Sequence, residues 1–466
     1  MSLHLLPYRT FLISCFLFIG SISCKENSTP IAEVQPVATD SITIWIKKGR
    51  DKSLVKEIRK INLDKAFTKT IPLEQDTSYL KNLSALSLAY LRLPDNPKFR
   101  EVNDLLIAKA KILKDSIAWA NALWDRGLFY ERISVMDSSF IDYDEAHNIY
   151  IAKDKKLNAA KMLRNMAVIQ NSVRDYVQAE INLVRAIEYF KELEETKDLY
   201  RSYNSLGITM VNLENYDEAL EYYEEALKYL DASEPNEKFR LRVINNMGMA
   251  HLENEEFEKA ADYFTQAVNL PKAEDNDPET YGRALTNLGI TKVKRSSNPE
   301  RPEEYDKALF ILDAIEDYAG LSKTLFALAE YYTLIGDSTK ATERAQHALN
   351  FARKTNNHER ELAALQLLSQ VDNEHSRAYS KSYMKIHDSL DAAERQLKNK
   401  YARIRFETDE ALAMNELLAR QRIWWLSAAI GFLLLALSVY IIAAQRARNQ
   451  KLRFLQEQQE TNQEIF

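Results

Sequence analysis

Positively charged side chains recur at one position of a repeating helical pattern, and amides recur one helical turn later. The cations are Lys161, Arg201, Arg242, Arg283 and Lys323. The amides four residues after a cation are Asn165, Asn246 and Asn287, and two more, Asn204 and Asn245, come one residue earlier in their units. Residues four apart share a helix face, where the cation supplies charge and the amide an oriented donor. Such a row predicts a surface that binds carboxylates.

Two hypotheses account for this row. First helices of stacked helix pairs line a concave surface, so the cations form a groove for an anionic protein or peptide, similar to the carboxylate clamp of peptide-binding repeat proteins. Alternatively, the amides bond to neighbouring helices and the cations pair with acids of adjacent units, such as Glu214 or Glu255. The sequence leaves both open.

No other set of residues indicates chemistry. The seven histidines (4, 147, 251, 347, 358, 375 and 387) do not pair with one another or with a cysteine at a metal-ligand spacing. The chain lacks HExxH, GxSxG and glycine-rich phosphate-loop patterns. We therefore predict no catalytic residue, no metal and no cofactor. The net charge of −6 disfavours nucleic acid as a direct partner.

The helices that position these cations are predicted from a repeating pattern of small residues. Its first row, which is evenly spaced along the chain, is Gly127, Ala167, Gly207, Gly248, Gly289 and Ala329. Twelve residues later come Ser139, Ala179, Ala219, Ala260 and Ala341. Four further on come Tyr143, Leu183, Tyr223, Phe264 and Ala345, and three beyond those Ala146, Ala186, Ala226, Ala267 and Ala348. The pattern predicts paired helices that approach at small residues, with aromatic rings filling the adjacent space.

The period of this row also suits HEAT or armadillo repeats, but the spacing of the small residues inside each unit resembles tetratricopeptide repeats. The fold class predicted is all-α, an α-solenoid of such repeats over residues 120–390, preceded by degenerate helical repeats over 43–119. In the unit headed by Gly289, about seven extra residues are expected in the turn around 296–302. That insertion would place Ala308, Leu312 and Ile315 in the second helix.

The N-terminus has the features of an export signal. Residues 1–24 contain Arg9 and a short apolar run, and they end in Ser-Ile-Ser-Cys. This ending resembles a bacterial lipobox, which implies lipid attachment at Cys24, although Ser21 replaces the usual aliphatic residue. Ordinary cleavage and an uncleaved anchor stay as alternatives. The polar segment 25–42 is expected to be a flexible linker.

The C-terminal part is predicted to cross a membrane once. A connector helix (391–422) leads to 22 uncharged residues, 423–444, about 33 Å of helix, which spans a hydrocarbon core. Arg446, Arg448, Lys451 and Arg453 follow it. The positive-inside bias places the C-terminal stub, 445–466, in the cytoplasm of a bacterial cell and the repeats outside the inner membrane.

The order of these parts, with the run IHDSLDAAERQLKNKYARIRFETD and the tail KLRFLQEQQETNQEIF, resembles the input half of bacterial tetratricopeptide-repeat sensor histidine kinases. The resemblance implies an extracytoplasmic sensor of a two-component system and a homodimer formed through the connector and membrane helices. A response regulator is implied only if a kinase core is attached. The chain contains no ATP-binding boxes, so no kinase residue carries over. The alternatives are an anchored scaffold or the sensor part of a membrane-bound helix-turn-helix regulator.

Ile386-His387-Asp388 resembles the centre of a kinase phosphoacceptor box. It precedes the hydrophobic segment, however, and therefore faces the compartment without ATP. We interpret His387 as an exposed helical histidine.

Overall fold

The computed structural model describes residues 37–93, 95–233 and 236–464, and the regular structure of these residues is entirely helical. The predicted signal segment 1–24, with Cys24, and most of the predicted linker lie outside the described residues. The first helix begins at Val37, inside the segment 25–42 for which a linker was expected. The helices form two compact units, one ending at Lys109 and one beginning at Ala110.

The first unit contains the helices α1 (Val37–Arg50), α2 (Lys56–Thr70) and α3 (Tyr79–Arg92), and most of α4 (Asn96–Ile112). A 3₁₀ turn, Ile71–Leu73, follows α2. The core consists of aliphatic and aromatic side chains with no exposed surface, including Ile42, Leu63, Leu86, Tyr90 and Leu106. The Tyr90 hydroxyl donates to Asp64 Oδ1 at 2.7 Å. The helical content expected for residues 43–119 is therefore present.

The second unit holds seven helix pairs within the described residues. The first four are α5 and α6 (Ser116–Arg132, Met136–Ala152), α7 and α8 (Lys156–Ser172, Tyr176–Glu192), α9 and α10 (Thr196–Asn212, Tyr216–Asp231), and α11 and α12 (Glu237–Glu253, Phe257–Val268). The last three are α14 and α15 (Pro278–Arg295, Glu304–Ala314), α16 and α17 (Tyr318–Leu334, Ser338–Lys354), and α18 and α19 (His358–Val371, Ser376–Glu464). A single turn, α13 (Ala273–Asn276), precedes α14.

The small residues lie where the two helices of a pair touch. A Cβ atom added to Gly207 would lie 2.5 Å from Tyr223 Cε1, and one added to Gly127 would lie 2.5 Å from Tyr143 Cε1. Such distances are far below van der Waals contact, so only glycine allows the ring to sit there. Ala219 and Ala226, which flank Tyr223, are fully buried. The predicted solenoid of close-packed helix pairs is confirmed.

The unit headed by Gly289 corrects one expectation. A Cβ atom on Gly289 would meet Tyr305 Cε1 at 2.6 Å, and the step from Gly289 to Tyr305 equals the step from Gly207 to Tyr223. Ala308, which is fully buried, likewise stands where Ala226 stands relative to its glycine. The predicted seven-residue insertion is therefore wrong. Helix α15 keeps the ordinary register but begins only at Glu304, because Pro299 and Pro302 interrupt what would be its first turns.

The last helix, α19, runs 89 residues from Ser376 to Glu464. Its first turns pack Tyr379, Tyr383 and Ile386 against the core formed by α16, α17 and α18. Farther along, Lys400 Nζ lies 2.7 Å from Asp137 Oδ2 of α6. The part from Arg420 to Glu457 is long and apolar enough to cross a membrane, judged by length and composition alone.

Candidate binding surface of the repeat array

The first helices of the repeats, α7, α9, α11, α14, α16 and α18, form one continuous surface, because each contacts the next directly. The five predicted cations each stand at the sixth residue of their helix: Lys161, Arg201, Arg242, Arg283 and Lys323. Equivalent positions on neighbouring helices therefore follow one another along this surface. We call it the first-helix surface.

Three of the cations are neutralised by aspartates of the next repeat. Lys161 Nζ lies 3.3 Å from Asp198, and Arg242 Nε donates to Asp277 at 2.7 Å. Arg283 Nη2 lies 3.0 Å from Asp317. Pairing between repeats, one of the two hypotheses, is thus present, but the acids are not the Glu214 and Glu255 suggested by the sequence.

These aspartates stand at the start of the following first helix. Asp277 and Asp317 are the residues immediately before α14 and α16, and Asp198 is the third residue of α9. A carboxylate is favoured there because the N-terminus of a helix carries partial positive charge and unpaired N–H groups. Asp317 accepts from the backbone N–H of Gly320 in its own helix at 3.1 Å, whereas Asp277 accepts from the Thr280 hydroxyl at 2.8 Å. Each of the three aspartates also pairs with the cation of the preceding repeat.

Burial opposes ionisation of Asp198 and Asp277, yet the pKa of each carboxyl lies below its usual value. For Asp198, the charges of Arg164 and Lys161 outweigh burial. For Asp277, which is 1% exposed, hydrogen bonds from Arg242 and Thr280 do so. Both groups are therefore ionised partners of the array at neutral pH.

The predicted amides also link neighbouring repeats. Asn246 Nδ2 donates to Asn204 Oδ1 at 3.0 Å, and Asn287 Nδ2 donates to Asn245 Oδ1 at 3.0 Å. With its amide oriented to satisfy both neighbours, Asn165 donates to the Lys161 carbonyl at 3.2 Å and accepts from Trp124 Nε1 at 3.3 Å. The amides thus bond between helices; their role toward a ligand stays a prediction.

Two predicted cations differ from the other three, because no described carboxylate lies within 4.0 Å of them. Arg201 is exposed, with its guanidinium 5.9 Å from the Tyr200 ring centre. Lys323 is partly buried and donates to Asn287 Oδ1 at 2.6 Å. Burial, the nearby charge of Arg360 and that of Arg283 lower the pKa of Lys323 to about 8, although Glu253 opposes them.

Arg360, on α18, was missed by the sequence analysis. Its guanidinium lies 6.0 Å from the Phe326 ring centre, and burial lowers its pKa. It is the third residue of its helix rather than the sixth, where Ala363 stands, so the repeat phase gave no signal for it. The cap at Asn357, whose side chain accepts from Arg360 N at 3.0 Å, was a usable sign of where the helix starts.

Arg283, Lys323 and Arg360 together form what we call the cationic cluster. Among the described residues, only Arg283 has carboxylates within 4.0 Å, those of Glu279 and Asp317. Glu330 and Glu359 act on Arg360, and Glu253 on Lys323, from farther away. Burial and the charges of Arg360 and Arg283 disfavour the ammonium form of Lys323, and a bound anion offsets this effect. The cluster is therefore the part of the first-helix surface best suited to a carboxylate ligand. Among the described residues, no group of three or more His, Cys, Asp or Glu side chains is placed to hold a metal ion.

Comparison with known proteins supports the fold. The tetratricopeptide repeat family matches residues 198–273. No curated protein matches the chain. Several solved structures are similar to the chain. The apo form of RapI is 14% identical, and the match covers 77% of this chain and 99% of that chain with a TM-score of 0.55. The apo quorum sensor NprR from B. thuringiensis matches at 13%, covering 75% and 99%, with a TM-score of 0.54.

A Rap protein complexed with Competence and Sporulation Factor is similar to the same degree, at 14% identity, covering 77% of this chain and all of that chain with a TM-score of 0.53. At these identities the likeness concerns the fold alone. It identifies an all-helical array of tetratricopeptide-like repeats.

Proposed function

We propose that the repeat array is a receptor for an acidic protein segment or a peptide terminus, and that the ligand's carboxylate binds at the cationic cluster. The observation that carries this proposal is the environment of Lys323. Its ammonium is partly buried beside two guanidinium groups and hydrogen-bonded to an amide oxygen, with no described carboxylate within 4.0 Å. A ligand carboxylate supplies the missing charge.

The rest of the row supports this assignment by contrast. Lys161, Arg242 and Arg283 are held by aspartates across repeat boundaries and so serve to fix the stacking. Lys323 is placed in the same phase without such a partner. We therefore assign Lys161 and Arg242 to a structural part of the predicted row and Lys323 to a binding part, while Arg283 belongs to both.

The test is a screen of the purified chain against acidic peptides that have free or amidated C-termini, followed by Lys323→Met. We expect the substitution to weaken the best peptide about tenfold or more, because it removes a charge-assisted hydrogen bond. The matched control is Lys307→Met. Lys307 is an exposed residue of α15 that pairs with Glu303, so its substitution should leave the affinity unchanged. Equal affinity of the two variants would refute binding at the cluster.

The affinity for the ligand should decrease as the pH rises above about 8. Since the free Lys323 has a pKa of about 8, its ammonium is lost as the pH rises through that value. A bound carboxylate raises the pKa, so binding takes up protons near pH 8 and weakens above it. Titration calorimetry between pH 7 and 9.5 should show this fall for the original chain and not for Lys323→Met.

We further propose that the array lies outside the bacterial inner membrane, that residues 423–444 of α19 cross it, and that the connector and membrane helices form a homodimer. In this scheme the chain is the sensor part of a two-component receptor. The proposal is supported by the charge asymmetry around the apolar segment and by the continuity of α19 from repeat to tail. Phosphatase and fluorescent reporter fusions after residues 380 and 466 test the orientation, and a cytoplasmic array would refute it.

Two other functions are compatible with an array anchored in the membrane. The protein is then either a scaffold without signalling or the sensor part of a transcription regulator with a helix-turn-helix domain. Sequencing the DNA beyond codon 466 distinguishes them. A phosphoacceptor helix with ATP-binding boxes supports the sensor kinase, a helix-turn-helix module supports the regulator, and an immediate stop codon supports the scaffold.

A further inference from the structure

A cavity of about 550 Å³ lies where α19 passes two other elements of the second unit. One wall is α18, the second is the turn between α7 and α8, and the third is the stretch of α19 from Tyr383 to Asp391. The turn belongs to the second helix pair of this unit and α18 to the seventh, so they are distant in the sequence. The space therefore exists only because the array brings its early and late repeats together.

The lining combines aliphatic surface with charges of both signs. Val173, Leu362 and Leu390 supply the apolar part. Arg174 is the basic group, and Glu359 and Asp391 are the acidic groups. A cavity of this composition suits a ligand that is itself apolar in its middle and charged oppositely at its two ends.

The charged side chains of the lining have few ion-pair partners among the described residues. Among the described residues, no carboxylate lies within 4.0 Å of the Arg174 guanidinium, and Arg174 is exposed in a turn where its backbone has φ 59°. The turn thus carries a long basic side chain in a backbone conformation that non-glycine residues adopt at a cost. Asp391 has one described ion-pair partner, His387, at 3.4 Å.

We propose that this cavity binds an apolar dipeptide with free termini. Its carboxylate pairs with Arg174, its ammonium group pairs with Asp391 or Glu359, and its side chains cover Leu362 and Leu390. A sugar is a poorer fit, because sugars stack on open aromatic faces. The phenol ring of Tyr383 in the cavity wall is already contacted edge-on by His387 at 5.7 Å, and the other described rings of the lining are the imidazoles of His358 and His387. The cationic cluster uses none of these residues, so either site can fail without the other.

Occupancy of the cavity bears directly on α19. A ligand that touches Arg174 and Asp391 at once bridges an early repeat and the long helix. Farther along α19, Lys400 makes the second link to the early repeats, through Asp137. We therefore expect the bound dipeptide to hold α19 more firmly against the array.

The experiment is titration calorimetry of the full chain in nanodiscs with leucyl-leucine, and with N-acetyl-leucyl-leucine amide as the uncharged control. We expect a submillimolar Kd for the free dipeptide and at least tenfold weaker binding of the capped one. Arg174→Gln should weaken the free dipeptide about tenfold, the loss expected for one charge-assisted pair. Lys114→Gln, at the equivalent left-handed position of another turn (φ 55°), is the matched control and should bind as the original chain does.

A second variant fills the space. Ala363→Phe places a ring in the cavity and should abolish binding while circular dichroism reports an unchanged helical content. The proposal is overturned if the free dipeptide does not bind, if capping its ends makes no difference, or if Arg174→Gln and Lys114→Gln bind alike. Tight binding of glucose in place of the dipeptide would likewise overturn it.

Discussion

The contact between Gly207 and Tyr223 yields a sharp test of how each repeat is held together. Replacing a helical glycine by alanine ordinarily stabilises a helix by about 1 kcal/mol. Here the new methyl carbon would lie 2.5 Å from Tyr223 Cε1 and 2.7 Å from Cδ1. The ring, which is 1% exposed, has no free space into which to withdraw. Overpacking of this kind costs about 1–3 kcal/mol. After the gain in helix propensity is subtracted, we expect Gly207→Ala to be net destabilising by up to about 2 kcal/mol.

The same chain provides the compensating pair. At the equivalent positions, Ala167 lies opposite Leu183, and both are fully buried. Tyr223→Leu alone removes a buried ring and should cost about 2–3 kcal/mol. In the double variant, the alanine methyl occupies space that the ring has left. We therefore expect the double variant to be more stable than Tyr223→Leu alone, with a favourable coupling of about 1–3 kcal/mol.

Native-state hydrogen exchange of amides in α9 and α10 is the suitable measurement, because arrays of repeats open locally and need not unfold in one step. Protection should fall in Gly207→Ala and recover in part when Leu replaces Tyr223. Ala167→Gly is the control: it relieves no steric clash, so it should lower protection through lost helix propensity and the small cavity left by the buried methyl. If Gly207→Ala increases protection, as at an unconstrained helical glycine, the close approach of the two helices is not what fixes the repeat.

Three further outcomes are expected. Asp277→Asn should cost about 1–2 kcal/mol, since it removes the charged partner of Arg242, which is itself partly exposed. Hydrogen exchange of amides in α11 and α14 measures the loss, and Asp275→Asn, at an exposed residue, should leave protection unchanged. The pKa values of Asp198 and Asp277 are lowered in the folded chain. Their contribution to stability is therefore complete above the unfolded-state pKa, near pH 4, and is lost as the pH falls through the folded-state pKa values. On acidification, exchange protection should decrease first in α9 and α14. Lys400→Gln should speed exchange in residues 383–400 and leave α9 unaffected, because it removes the ion pair with Asp137.

The sequence predicted the helix pairs well because their determinants are local and periodic. A small residue on the first helix and a ring at a fixed later position on the second determine how the two helices meet, as at Gly207 and Tyr223. The register around Gly289 was mispredicted because the polar segment 296–302 has the appearance of an inserted loop in the sequence, whereas in the structure it lies within the ordinary length of the repeat. The step from Gly289 to Ala329 is no longer than the other steps of the first row, which already showed that no insertion was present.

The candidate site was only partly predictable, because its contacts join residues on successive repeats. The phase of Arg242 and Arg283 was visible, but their partners, Asp277 and Asp317, have the appearance of ordinary helix caps in the sequence. What separates Lys323 from these residues is that no described carboxylate lies within reach of it, and that is a property of the folded array. Arg360 belongs to another phase and enters only through tertiary packing.

The length of α19 has a mechanical consequence. An 89-residue helix is about 130 Å long, and between Ser376 and Glu464 it contains one glycine, Gly431, and no proline. Proline and glycine are the usual causes of helix kinks, so such a helix has few places at which it bends sharply. Rotation of α19 about its own axis near Tyr383 is therefore transmitted along the helix. A rotation of α19 at its first turns therefore also rotates its last turns.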